Sequence, residues 1–419
     1  MTAESTDESS PVANSARRLG APYWWLWGAS GLSNLADGIL KVALPLVAIQ
    51  FTQSPSLIAG LAFALTLPWL LFALPAGALA DRFDRRRIML GANVLRAAML
   101  GLLAAAVVVD LGSIWVLYAV ALGIGVAETL YDTSAQSILP QIVDRNQLSR
   151  ANGRLYAAEL TANQFIGPPL GGLLAAAGAA AAFATPAGMW LCAVGVLLLV
   201  RGNFRIAREE PSTMRADIAE GLRFLYHHRI LRTMAVMTGG FNFASTAAFA
   251  VIVLFAVGPT SAMGLSEAAF GVLLTTTAAG SLVGSFIAER IEQRLGRSRA
   301  LILTILTGAF LFVALALTSN PYWIGAALFL EGISIVLANV IMVSLRQRIT
   351  PDRLLGRVNS GYRLVAWGTM PLGAAAGGLL AELFGLQIMF GIMGLLVLGL
   401  LALMPILNDK ALDEAERSG

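Results

Sequence analysis

Charge is what this sequence has least of. Asp, Glu, Lys and Arg together make up 13% of its 419 residues, about half of the roughly 25% usual in a soluble domain. A chain with so little charge cannot cover a large water-facing surface. Cysteine occurs once, at Cys192, which excludes a disulfide framework and any cysteine-based metal motif. Histidine occurs only as the adjacent pair His227-His228, with no ligand partner at metal spacing, so no metal site is expected. The opening MTAESTDESSPVANSARRLG lacks the apolar core of a cleavable leader. Residues 1–22 read as an unstructured tail. No phosphate-binding loop, H-E-x-x-H or G-x-S-x-G stands anywhere in the chain. Neither enzyme chemistry nor direct ATP energisation is expected, and no cofactor is implied.

What is present is apolar length. Hydrophobic residues make up 57% of the chain, in recurrent runs long enough to cross a bilayer, which takes roughly 20 residues. Twelve spans are expected, near 23–51, 56–79, 88–109, 113–139, 150–177, 182–201, 230–257, 267–289, 298–318, 321–349, 356–383 and 386–407. They predict an all-α membrane protein with six helices in 23–201 and six in 230–407. Between them lies a linker, 202–229, and after them a tail, 408–419. The second half of the linker sets Met214, Ile218, Leu222 and Leu225 on one helical face, the pattern of an amphipathic helix lying on the membrane surface.

The cations are sorted by loop. The shortest concentrated run is Gly77–Arg87, GALADRFDRRR, where Asp81 and four arginines, Arg82, Arg85, Arg86 and Arg87, stand between the second and third spans. Further arginines cluster in the linker, between spans 8 and 9, and between spans 10 and 11. The alternate loops, near 52–55, 110–112, 178–182, 258–266, 319–320 and 384–386, contain no Lys or Arg. The positive-inside rule then places both termini in the cytoplasm. It also explains the excess of base over acid, so a nucleic-acid partner is not expected.

The chain repeats itself. Gly77, Asp81-Arg82, Arg150-Ala151-Asn152, Gly171-Gly172-Leu173-Leu174 and Asn34 recur as Gly284, Glu289-Arg290, Arg357-Val358-Asn359, Gly377-Gly378-Leu379-Leu380 and Asn242, all displaced by 206 to 208 residues. Two six-helix halves of common ancestry are a transporter architecture, with the substrate site between them near mid-membrane.

Over its full length the chain resembles the major facilitator superfamily. GALADRFDRRR is similar to that superfamily's loop 2–3 signature, matching at Gly77, Asp81, Arg82, Arg85 and Arg86 and departing at Asp84, where glycine is usual. Gly167-Pro168-Pro169-Leu170-Gly171-Gly172 resembles the span-5 signature associated with antiporters. The segments GIGVAETLYDTSAQSILP, QIVDRNQLSRAN and DIAEGLRFLYHHRILR resemble bacterial efflux proteins of the enterobactin-exporter and macrolide-efflux branch. The resemblance implies a multi-pass protein of the bacterial inner membrane, expected as a monomer. It also implies a gating role for Asp81 against the N-terminal end of span 11 near Gly356.

Ionisable groups inside spans cost about 2.5–3.5 kcal/mol each on insertion scales and need a partner, water or a function. Span 1 carries Asn34, Asp37 and Lys41; the last two stand i, i+4 and predict a pair. Glu128 and Asp132 share a face of span 4, where two carboxylates in low dielectric tend to hold a proton between them. Glu159 of span 5 is expected either to function or to pair with Arg96 of span 3. Glu331 and Arg363 are expected to form a gate or a bond in the second half. Phe241, Phe243 and Phe249, with Phe63 and Trp69, either line an apolar pocket or pack. Carboxylates outnumber cations in the first half, so proton traffic is expected there.

These readings converge on a secondary exporter of amphipathic small molecules, such as a drug, siderophore or secondary metabolite, coupled to protons by antiport. Importers and lipid flippases of the same fold, and a non-transporting membrane sensor, are the alternatives. A flippase would grip a headgroup with Lys41, Arg96 and Arg363, and a sensor would have a blocked cavity.

Overall fold

The computed structural model describes residues 19–144, 147–202, 204 and 214–418. Most of the expected tail 1–22 therefore lies outside the described residues, as do the side chains of Asp81, Met214 and Ile218. All regular structure described is helical, apart from one isolated bridge between Val257 and Leu265.

The first half holds α1 (Ala21–Ala48), α2 (Pro55–Arg82), α3 (Arg85–Val108) and α4 (Ile114–Ile138), then α5 (Leu148–Glu159), a π-helical segment (Leu160–Ile166), α6 (Gly167–Ala176) and α7 (Ala179–Leu197). The linker helix is α8 (Met214–His227). The second half holds α9 (Arg229–Phe249), α10 (Ile252–Ala256), α11 (Glu267–Leu295), α12 (Arg297–Leu317), α13 (Pro321–Ile349), α14 (Asp352–Phe384) and α15 (Leu386–Gly399), which continues as a 3-10 segment to Leu407. A last helix, α16 (Asp409–Ser418), occupies the tail.

Ten of these stretches are long and apolar enough to cross a membrane. The other two expected spans, 150–177 and 230–257, are interrupted. The fifth changes to π-helix just before Pro168-Pro169. Prolines remove backbone donors, and the wider turn absorbs the irregularity. The seventh breaks between Phe249 and Ile252. Helix starts follow the local sequence: Ser54, Ser113 and Ser266 accept from Leu57 N, Val116 N and Ala269 N, and Asn320 accepts from Tyr322 N ahead of Pro321 at the first turn. Gly385, at φ 88°, closes α14 and lets α15 begin one residue later.

Within the first half, α1 packs on α7 and α6, and α4 lies between α2 and α3. Within the second, α13 lies between α11 and α12, and α9 packs along α14. The halves meet along α2 with α14 and along α6 with α11. The repeat reappears in how its glycines are used. A methyl on Gly171 would stand 2.6 Å from Ile39 O of α1, and one on Gly377 would stand 2.3 Å from Ala247 O of α9. Their neighbours face the opposite half: Gly172 would meet Glu267 O at 2.3 Å, and Gly378 would meet Ala59 Cβ at 2.6 Å. In each repeat the first glycine seats a helix within its own half and the second seats it against the other, where only a missing side chain permits such contact.

The linker helix packs on α14. Glu220 pairs with Arg357, Gly221 approaches the Arg357 carbonyl, Leu222 lies against Gly361, and Leu225 is buried. The tail helix is also docked: Arg297 pairs with Asp413 at 2.6 Å and with Glu416, and Asp409 accepts from Ser298 N.

Candidate functional site

Two polar centres lie inside the bundle, one in each half. In the first, Arg96 of α3 is 0% exposed. One guanidinium nitrogen donates to Asp37 Oδ1 at 3.4 Å and to Ser33 Oγ at 3.3 Å on α1. Its flat faces are covered by Tyr131 of α4 and Trp190 of α7, with ring centroids 5.2 and 5.4 Å away. Cation–π contacts of this kind suit a guanidinium deprived of water. Glu128 and Asp132 lie within electrostatic range of the same guanidinium. Asp37 is thus bonded to Arg96, with Glu128 and Asp132 within electrostatic range of the pair.

The expected Glu159–Arg96 pairing is corrected: Arg96 is bound to Asp37, and Glu159 is exposed. The Asp37–Lys41 pair is not made either. Lys41 Nζ donates instead to Asn163 Oδ1 at 2.8 Å, in the π-helical segment. Gly38 lies between these residues and allows α1 to approach closely; a methyl there would stand 2.4 Å from Asn163 O. Asn34 donates back to Ser30 O at 2.9 Å within its own helix.

The second centre lies in a cavity of about 680 Å³. Apart from Gln136 of α4, its walls come from the second half. Glu331, Ile335, Met342 and Arg346 of α13 line its length on one helical face. Phe241 and Phe249 line the α9 side, whereas Phe243, Phe63 and Trp69 do not; Trp69 stacks edge-on against Trp367 across the halves at 5.3 Å. Glu331 is 2% exposed, and its Oε2 has no hydrogen-bond partner. The expected Glu331–Arg363 bond is absent. Arg363 lies over the Trp367 ring at 4.3 Å and donates to Gln136 Oε1 at 3.3 Å, bridging the halves. Asp132, one turn before Gln136, is within electrostatic range of Arg363. Arg346 lies over the Tyr362 ring at 4.1 Å.

The loop after α2 proves to be a fastening. Asp84 replaces the usual glycine without strain, at φ −63°. It caps α3, accepting from Arg87 N, and its other oxygen accepts from Phe204 N. Arg86 donates to Leu197 O and Leu198 O, carbonyls at the end of α7. Arg85 is buried and donates to Phe204 O, while Arg82 is exposed. In the span-5 signature, Gly167 stands against Gly38, and the Pro168 carbonyl lies against Gly271 of α11.

The family described as "Transmembrane secretion effector", of the major facilitator superfamily, matches residues 16–418. The chain belongs to it. Among its relatives in that superfamily, the multidrug efflux pump Tap of Mycolicibacterium fortuitum is 28% identical over 387 residues, covering 87% of this chain and 91% of Tap. The enterobactin exporter EntS of Salmonella typhimurium is also 28% identical, covering 88% and 90%. The fold matches that of a variant of the nucleoside transporter NupG, with a TM-score of 0.75 at 12% identity over 92% of this chain and 100% of NupG. It also matches a bacterial homologue of the iron transporter ferroportin in an inward-facing state, with a TM-score of 0.73 at 16% identity over 93% and 99%. This major facilitator protein is therefore a multi-pass membrane transporter by family and fold.

Proposed function

We propose that this transporter exports amphipathic small molecules from the bacterial cytoplasm by proton antiport and alternating access. The observation that carries the proposal is the buried Arg96–Asp37 pair with Glu128 and Asp132 beside it. A proton taken by this cluster removes a charge that Arg96 needs. The loss loosens a bond between α1 and α3 and lets the first half shift against the second. The cavity, largely apolar and open enough to hold a small molecule, takes the substrate. It also counts against the non-transporting sensor, for which a blocked cavity was expected. Lys41, Arg96 and Arg363 all have protein partners, which weakens the flippase alternative.

With the termini in the cytoplasm, the glycine contacts of α6 with α11 and of α14 with α2 lie at the outer end. So does the bond from Ser54 Oγ to Glu382 Oε2, at 2.7 Å. We assign the state as inward-facing on that basis, with Asp81 serving the inner gate in the opposite state. The chain divides into halves 23–201 and 230–407, acts as a monomer, and resides in the plasma membrane. Transport of a dye in proteoliposomes under an imposed pH gradient tests the coupling. Wild type drives flux against the dye gradient, and Asp37→Asn or Glu128→Gln reduces it at least tenfold. Unchanged gradient-driven flux in both variants would end the coupling argument.

A further inference from the structure

The cavity of the second half carries information about its ligand that the family does not. A buried carboxylate with no partner is costly, by several kcal/mol if it is ionised and unrelieved. Asp37, Glu220, Asp413 and Glu416 have each found an arginine. Glu331 has not, although the cavity it lines also contains two arginines. Arg346 is too far along the helix to serve it, and Arg363, on α14, is held by Trp367 and Gln136. Glu331 and Arg346 are fifteen positions apart on α13, roughly 22 Å at 1.5 Å per residue. Among the described residues no other charged side chain lines the cavity, and the helices packed on α13 contribute only Thr277 of α11 and Thr304 and Ile305 of α12 to its walls. Ser245 Oγ of α9, on the same cavity, is also buried without a partner.

We propose that Glu331 is the recognition carboxylate for an organic cation, an amine, quaternary ammonium or phosphonium, whose apolar body lies along the cavity. The cationic end lies at Glu331, with Ser245 Oγ placed to accept from an amine N–H. The apolar body lies along Phe241, Phe249, Ile335 and Met342. The opposite end, near Arg346 and Arg363, is neutral or anionic, because two guanidinium groups there repel a second positive charge. The arginines thereby fix the direction in which the ligand lies. The proposal rests on the reading of this cavity as the transport site, but its test does not need transport.

Equilibrium dialysis on the purified full-length protein in lipid nanodiscs makes the test, with tetraphenylphosphonium as the cation and triphenylphosphine oxide as its neutral counterpart. Wild type binds the cation more tightly than the neutral compound. Glu331→Gln weakens cation binding at least tenfold and leaves binding of the oxide within threefold, which also shows that the variant is folded. Glu331→Asp, which keeps the charge, retains a preference for the cation. Failure of wild type to bind the cation, a loss of less than tenfold in Glu331→Gln, or an equal loss for both compounds would overturn the assignment. If cation binding depends on Glu331 yet proteoliposomes show no flux, the export reading fails and this one stands.

Discussion

The two halves share repeated sequence segments and bury their charges in opposite ways. The first half encloses a cation: Arg96 is bonded to Asp37 and Ser33 and roofed by Tyr131 and Trp190. The second half encloses an acid, Glu331, with no partner and with a cavity beside it. In the first centre the cation has an anion, although Arg96 Nε and Nη2, Tyr131 Oη and Trp190 Nε1 have no hydrogen-bond partner; in the second the acid has no cation. On the proposed reading, coupling falls to one half and recognition to the other, which one shared fold does not require.

The largest expected effect that sharpens this contrast is on stability, and it has opposite signs in the two halves. Arg96→Ala leaves Asp37 buried without its cation, and breaking a buried pair costs about 3–5 kcal/mol. A marked fall in the apparent melting temperature of the detergent-solubilised protein is expected. Glu331→Gln replaces an unpartnered buried acid with an amide and should raise that temperature. A similar fall in both variants would erase the distinction.

A smaller effect concerns what the halves share. Gly172→Leu and Gly378→Leu each place a bulky group where less than 3 Å is free, so each should part the outer ends of the halves. Spin labels placed on either side of that end, in a background with Cys192 replaced, should report a longer distance in both variants. A change in only one would break the symmetry of the interface. The smallest effect lies in the linker. His228 stacks on Phe224 and accepts from Leu231 N at the start of α9. Burial pushes its imidazole below the ordinary value. Its folded state therefore favours the neutral ring, and its contribution is present above about pH 6.5 and lost as pH falls. The protection factor of the Leu231 N–H against hydrogen exchange should fall on acidification, and less so in His228→Asn.

Much of this was legible in the sequence. Span positions, the docked glycines of the repeat and the superfamily all follow from apolar length, cation placement and the offset of 206 to 208 residues. Pairings inside the bundle do not. Spacing put Asp37 and Lys41 on one face of α1, but it gives no rotation of α3 or α5 relative to that face. Arg96 reaches Asp37 from another helix, and the π-helical turn brings Asn163 to Lys41. Counting acids drew attention to the first half. The cavity lies mostly in the second, because void volume depends on how α9, α11, α13 and α14 pack, and no count of charges records that. The linker's apolar face was visible, but whether it meets lipid or protein depended on Gly361 and Gly221 leaving room on α14.

The central claim, coupling in one half and recognition in the other, is tested most directly by comparing two modes of transport in one variant. In proteoliposomes, Asp37→Asn should still exchange labelled for unlabelled tetraphenylphosphonium across the membrane when no pH gradient is applied, at a rate within threefold of wild type. The same vesicles should no longer accumulate the cation when a pH gradient is imposed. Loss of exchange together with accumulation would place Asp37 in recognition or in the basic motion, and would contradict the division of labour between the halves.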